Sequence, residues 1–322
     1  MRRPGSTRPG AGVVARRPRS GTGTTEPARR PPGEARPRLR RAADLLKPYR
    51  VHLFLLAYTP LVLALDGRPG GLWVQRGLGL LTFLVLWLVT RRLPEDRRRQ
   101  VWLCVVVATG FEVLGSQVWG VYRYRLGNIP LYVPPGHGLV YWFGLTAGEL
   151  PVFRRHGRRA ALVILGGCAL YVVLGLTLLP VFTHRLDVQG ALCFPVLAWC
   201  ILRTPRFALF AAIFVATLDL ELSGTLAGDW RWLAVAPWDH VPSGNPPSAI
   251  AGGYCVIDGT VAAIGTLLDR RRRRGGGLVP TAAAPPLRRF AARGARPAAR
   301  PASPGAARSR PAALPRSAPP PA

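Results

Sequence analysis

Two acids stand where acids are expensive. Glu112 lies in "VATGFEVLGSQVWGVYRY" and Glu221 in "VATLDLELSGTLAGDWRW", both in strongly apolar surroundings. An ionised carboxylate inside hydrocarbon costs at least ~2–3 kcal/mol on insertion scales. It must therefore be neutralised by a proton, paired, or hydrated in a cavity. A carboxylic acid held neutral is also a proton donor suited to acid-base work. Glu112 and Glu221 are thus candidate catalytic groups. The other reading is that each is a hydrogen-bond partner tying helices together.

Aromatic residues follow each acid. Tyr122 and Tyr124 flank Arg123, and Trp230 and Trp232 flank Arg231. Such residues line membrane–water interfaces, and their faces also stabilise cations, so both interfacial and ligand-binding roles stay open. His137, in "PPGHG", is a candidate for proton transfer or for capping a helix start. Tyr141, Tyr254 and Asp258 complete the candidate ligand-binding set. Asp258 is read as deep in the last apolar run. Glu149 is read near a basic end, beside Arg154. Arg123, Arg231, His137 and His240 are the candidate partners of the two acids.

Apolar runs that must position these groups fall near 51–66, 72–90, 100–119, 137–153, 159–182, 188–202, 206–227 and 248–268. The expected fold class is all-α: a polytopic membrane protein of about eight transmembrane helices. Basic clusters alternate with the runs: "RLRRAADLLKPYR", "RRLPEDRRRQ", "RRHGRR", "RTPR" and "DRRRRR". With eight spans all five clusters share one side. The positive-inside rule makes that side the cytoplasm, with both termini inside a cell membrane.

The two Glu segments are also copies of one another. Val-Ala-Thr, Glu-x-x-Gly-[Ser/Thr], a later Gly and aromatic-Arg-aromatic recur in the same order. "RRLP" precedes the first copy and "LRTP" the second. Pro134-Pro135 precedes Tyr141, and Pro246-Pro247 precedes Tyr254. This pattern implies two parallel four-helix repeats, residues 46–158 and 159–269, related by an axis along the membrane normal. Glu112 lies ~18 Å along its run and Glu221 ~22 Å, at 1.5 Å per residue. Both depths fall in the outer half of a bilayer core ~30 Å thick.

Outside these repeats the composition changes. The chain has 322 residues and a net charge of +29, with 33 prolines. Residues 1–45 and 270–322 are Arg-, Pro-, Ala- and Gly-rich with few large apolar side chains, which predicts disordered basic tails. Anionic lipid head groups are their expected partners. No aromatic-basic alternation suggests nucleic-acid readout. The five cysteines have no CxxC spacing, so neither a disulfide framework nor a zinc pattern is expected, and no cofactor or metal is implied.

Glu112-x-x-Gly115, Gly120-x-Tyr122-x-Tyr124, and Trp230-x-Trp232 followed by an Asn-containing turn resemble the integral-membrane carotenoid-biosynthesis proteins, notably the carotenoid hydratase group. The resemblance covers spans three, four, seven and eight. "PPGH" at 134–137 departs from it. The resemblance implies acid-initiated chemistry on an isoprenoid lipid within the bilayer. A proton-coupled transporter and a non-catalytic scaffold are the alternatives the residues leave open.

Overall fold

The computed structural model describes residues 44–275. Eight main helices form the body: α1 (Arg50–Asp66), α2 (Gly71–Thr90), α3 (Glu95–Glu112), α4 (Val133–Ala147), α5 (Arg158–Leu176), α6 (Val188–Arg203), α7 (Phe207–Ala227) and α8 (Ala251–Gly275). Two three-residue strands, β1 (Tyr122–Tyr124) and β2 (Trp230–Trp232), pair antiparallel. The helix α8 continues past residue 270, and residues 44–46 are already helical, so both tails begin further out than composition suggests. The expected disorder of the remaining tail residues lies outside the described residues.

Among the described residues six helices are long and apolar enough to cross a membrane: Asp44–Asp66, Gly71–Thr90, Glu95–Trp119, Arg158–Leu176, Phe207–Ala227 and Ala251–Arg271. Large apolar side chains point outward from them, among them Trp73, Leu80, Val163, Leu170 and Leu226. That surface suits lipid, where helices satisfy their own backbone groups. These features make the chain a multi-pass membrane protein. The other two main helices are shorter, α4 with 15 residues and α6 with 16.

Proline breaks two of the expected runs. The expected run 137–153 is not one helix: α4 ends at Ala147 and a separate turn of helix begins at Pro151. Leu150, before the proline, is extended with ψ 142°, as the proline ring requires of its predecessor. The expected run 159–182 likewise stops at Leu176, and a short helix restarts around Pro180.

The helix α7 is central, packing against α1, α4, α5 and α6. Its Ala211, Ala212 and Ala216 are buried, and small residues let helices approach closely. Gly144 on α4 is the counterpart contact: a Cβ there would lie 2.6 Å from Ile213 Cγ1 and 3.0 Å from the Leu209 carbonyl oxygen. The helix α4 also packs on α2 and α3. The two acid-bearing helices, α3 and α7, therefore both lean on α4.

Candidate functional site

Glu112 ends α3 where the winding changes. Val113–Trp119 is π-helical, a rare wider winding often found at functional sites. The cause is visible in the glycine spacing. Gly120 donates its N–H to the Gly115 carbonyl, five residues back, whereas Gly228 donates to Gly224, four back. The first copy holds one more residue between its glycines, and the wider turn absorbs it. Both segments then end on a left-handed glycine, φ 74° at Gly120 and 79° at Gly228, a conformation other residues rarely tolerate. The chain turns back there and enters a strand.

The strands pair Tyr122 with Trp232, Arg123 with Arg231, and Tyr124 with Trp230. Side chains alternate across a strand. The four aromatics are buried and both arginines are exposed. Arg123 and Arg231 thus do not pair with the acids: they occupy the opposite face of the ribbon.

On the inner face the aromatics hold the carboxylates. Tyr122 and Tyr124 donate to Glu112 Oε2 at 2.7 and 2.6 Å. Trp230 and Trp232 donate their indole N–H groups to Glu221 Oε2, both at 3.0 Å. Burial, followed by the Glu112 charge, pushes both phenols far above their ordinary range, so they stay protonated donors. Tyr122 and Trp232 rings lie 4.7 Å apart, Tyr124 and Trp230 6.2 Å. Gly224 makes room for this plate: a Cβ there would fall 1.9 Å from the Trp230 ring. Asn245, from the turn after β2, accepts from the Trp232 backbone at 2.9 Å.

His137 completes the Glu112 half. Its Nδ1 lies 3.1 Å from the Val133 carbonyl and its Nε2 3.2 Å from Glu112 Oε1. A carbonyl only accepts, so Nδ1 carries the hydrogen. The Nε2 atom faces Glu112 at ion-pair distance. Tyr254 stacks on the imidazole at 5.2 Å with 15° between planes.

One cavity of about 480 Å³ joins the two halves. Glu112, Glu221, His137, Tyr122, Tyr124, Trp230, Trp232 and Tyr254 all line it. Both acids are buried, 9% and 7% exposed, and face this shared space rather than lipid. Sequence reading missed the α6 wall: Gln189, Leu192, Cys193 and Val196. Gln189 Oε1 is buried without a hydrogen-bond partner. Its polarity amid an apolar run was the available signal.

Two expected ligand-binding residues lie elsewhere. Tyr141 and Asp258 do not line the cavity; they meet Arg206, whose Nη1 is 3.1 Å from Asp258 Oδ2 and whose Nη2 is 3.5 Å from the Tyr141 hydroxyl. An arginine at the start of α7 reaches back to compensate the buried acid. Glu149 pairs with Arg97 at 2.5 Å, not with Arg154. His240 is exposed and lines no acid. All five cysteines are free thiols, four of them buried. Among the described residues no group of three or more His, Cys, Asp or Glu is placed to hold a metal ion.

No family model, curated protein or solved structure matches this chain.

Proposed function

We propose that the protein is a membrane enzyme that protonates an alkene of an isoprenoid or carotenoid-type lipid. The observation behind this reading is the shared cavity in which Glu112, at ion-pair distance from His137, faces Glu221 under an aromatic plate. The proton passes from the pair to one alkene carbon. The π electrons form the new C–H bond, and the other carbon becomes a carbocation. The Glu221 carboxylate and the faces of Tyr122, Tyr124, Trp230 and Trp232 stabilise that charge. Water attack or ring closure, with loss of a proton back to Glu112–His137, ends the cycle. Gln189 Oε1 is free to accept from the attacking water. Removal of one such acid-base group costs typically about 10²–10⁴-fold in rate.

The cavity walls are mainly apolar, as pockets for hydrophobic ligands are. The eight-span arrangement, with every basic cluster and both termini on the cytoplasmic side, is part of the same proposal. The ribbon supports two parallel repeats. Equivalent strands related by a twofold axis pair antiparallel about their central residue, and Arg123 pairs with Arg231 at that position.

Two experiments test this reading. Lipid extracts of cells carrying the wild type and Glu112→Gln should differ in a polyisoprenoid species; identical profiles, with both proteins in the membrane, would rule the enzyme out. Cysteine labelling of Arg97→Cys and Gly127→Cys should show access from opposite faces. Labelling from one face would overturn the span count.

A further inference from the structure

A second polar cluster lies at the rim, joined to the cavity wall through Tyr132 and unused by the proposed chemistry. Asp66, at the end of α1, and Asp229, just before β2, are each only 1% exposed. The segment 125–132 and the start of α2 surround them. Tyr132 donates to Asp66 Oδ2 at 3.0 Å, and Gln75 Nε2 donates to the same oxygen at 3.3 Å. Asn128 Nδ2 donates to Gln75 Oε1 at 2.8 Å. Arg125 donates from its backbone to the Asp229 carbonyl at 2.8 Å and from its guanidinium to the Asp66 carbonyl. The guanidinium also stands 3.5 Å from Asp66 Oδ1, without a hydrogen bond.

The accounting does not close. Four buried oxygens have no hydrogen-bond partner: Asp66 Oδ1, both carboxylate oxygens of Asp229, and Asn128 Oδ1. The Tyr132 hydroxyl and the Asn128 amide N–H groups are committed elsewhere in the network. Charge is short as well. Asp66 and Asp229 bring two negative charges, and Arg125 is the only cation within ion-pair distance of either among the described residues. Unpaired buried charge and unpaired buried acceptors are both costly.

We propose that Asp66, Asp229 and Asn128 bind a hard metal cation of the sodium or calcium class. An oxygen-only donor set selects such ions. A proton shared by the two carboxyls would quiet two of the four oxygens at most, whereas a hard cation takes several oxygen ligands at once. The ion would act on the neighbouring site through the chain. Asp229 immediately precedes Trp230, which holds Glu221, and its backbone is already fixed to Gly224 at 2.9 Å. Occupancy would therefore lock the ribbon over the cavity.

The test uses the purified full-length protein in lipid nanodiscs at pH 8, stripped with chelator into choline chloride. Thermal midpoints are read while calcium, magnesium or sodium chloride replaces choline at constant ionic strength. At least one cation should raise the midpoint saturably by several degrees. Asp229→Asn and Asn128→Ala should each reduce that response. A midpoint indifferent to all three cations in the wild type overturns the proposal, whether or not acidification to pH 5 raises it. A rise on acidification alone would assign the shared proton instead. A cation response left intact in both variants would also overturn it. The wild-type titration decides even if a variant fails to fold.

Discussion

The two halves of the cavity use one design with different donors. In each, a glutamate near the end of a long helix receives two hydrogen bonds from a following aromatic-Arg-aromatic strand. Tyrosine supplies them to Glu112 and tryptophan to Glu221. A phenol both donates and accepts, while an indole N–H only donates. Glu112 also has His137, and no histidine contacts Glu221 among the described residues. In the proposed reaction the Glu112 half passes a proton on and the Glu221 half holds a carboxylate still. Two similar frames thus present different donors to their carboxylates.

The comparison can be broken by exchange. Glu112→Gln should remove product formation by about 10²–10⁴-fold, the usual weight of an acid-base group, measured as product per unit of membrane protein. Glu221→Gln should cost less, about 10–10²-fold, because the amide keeps its place but loses the charge. Equal losses would deny the division of labour. The next largest effect is on folding. Gly224→Ala forces a methyl into the Trp230 ring and should destabilise by about 1–3 kcal/mol, as overpacking does. Gly115→Ala meets Tyr122 only at 3.2 Å and should cost less, read as the gap between two thermal midpoints. Smallest of all, Tyr141→Phe should leave turnover within about twofold, since Tyr141 lies outside the cavity and its bond to Arg206 is long.

The sequence carried much of this site, for identifiable reasons. An acid in an apolar run stands out, and Glu112, Glu221 and their aromatic triplets were recognisable in both copies. Eight of the ten candidate residues line the cavity. What failed was facing. A helix apolar on all sides offers no stripe to orient it, so Tyr141 and Asp258 could not be told from cavity residues, nor Gln189 recognised as one. The runs at 137–153 and 159–182 were overextended because apolar content outweighed Pro151 and Pro180 in the reading. The extra residue between Gly115 and Gly120 was countable, but only the structure gives it meaning as a wider helical turn. The cluster around Asp66 and Asp229 gathers residues far apart in the chain, and no local pattern announces it.

The decisive measurement is solvent deuterium incorporation. Membranes holding the wild type, Glu112→Gln or Glu221→Gln are incubated with polyisoprenoid lipids in heavy water, and product carbon-bound deuterium is read by mass spectrometry. The wild type should place solvent deuterium on carbon, Glu221→Gln should do so more slowly, and Glu112→Gln should not. Incorporation by Glu112→Gln at the wild-type rate would contradict the assignment of the transferred proton to the Glu112–His137 pair.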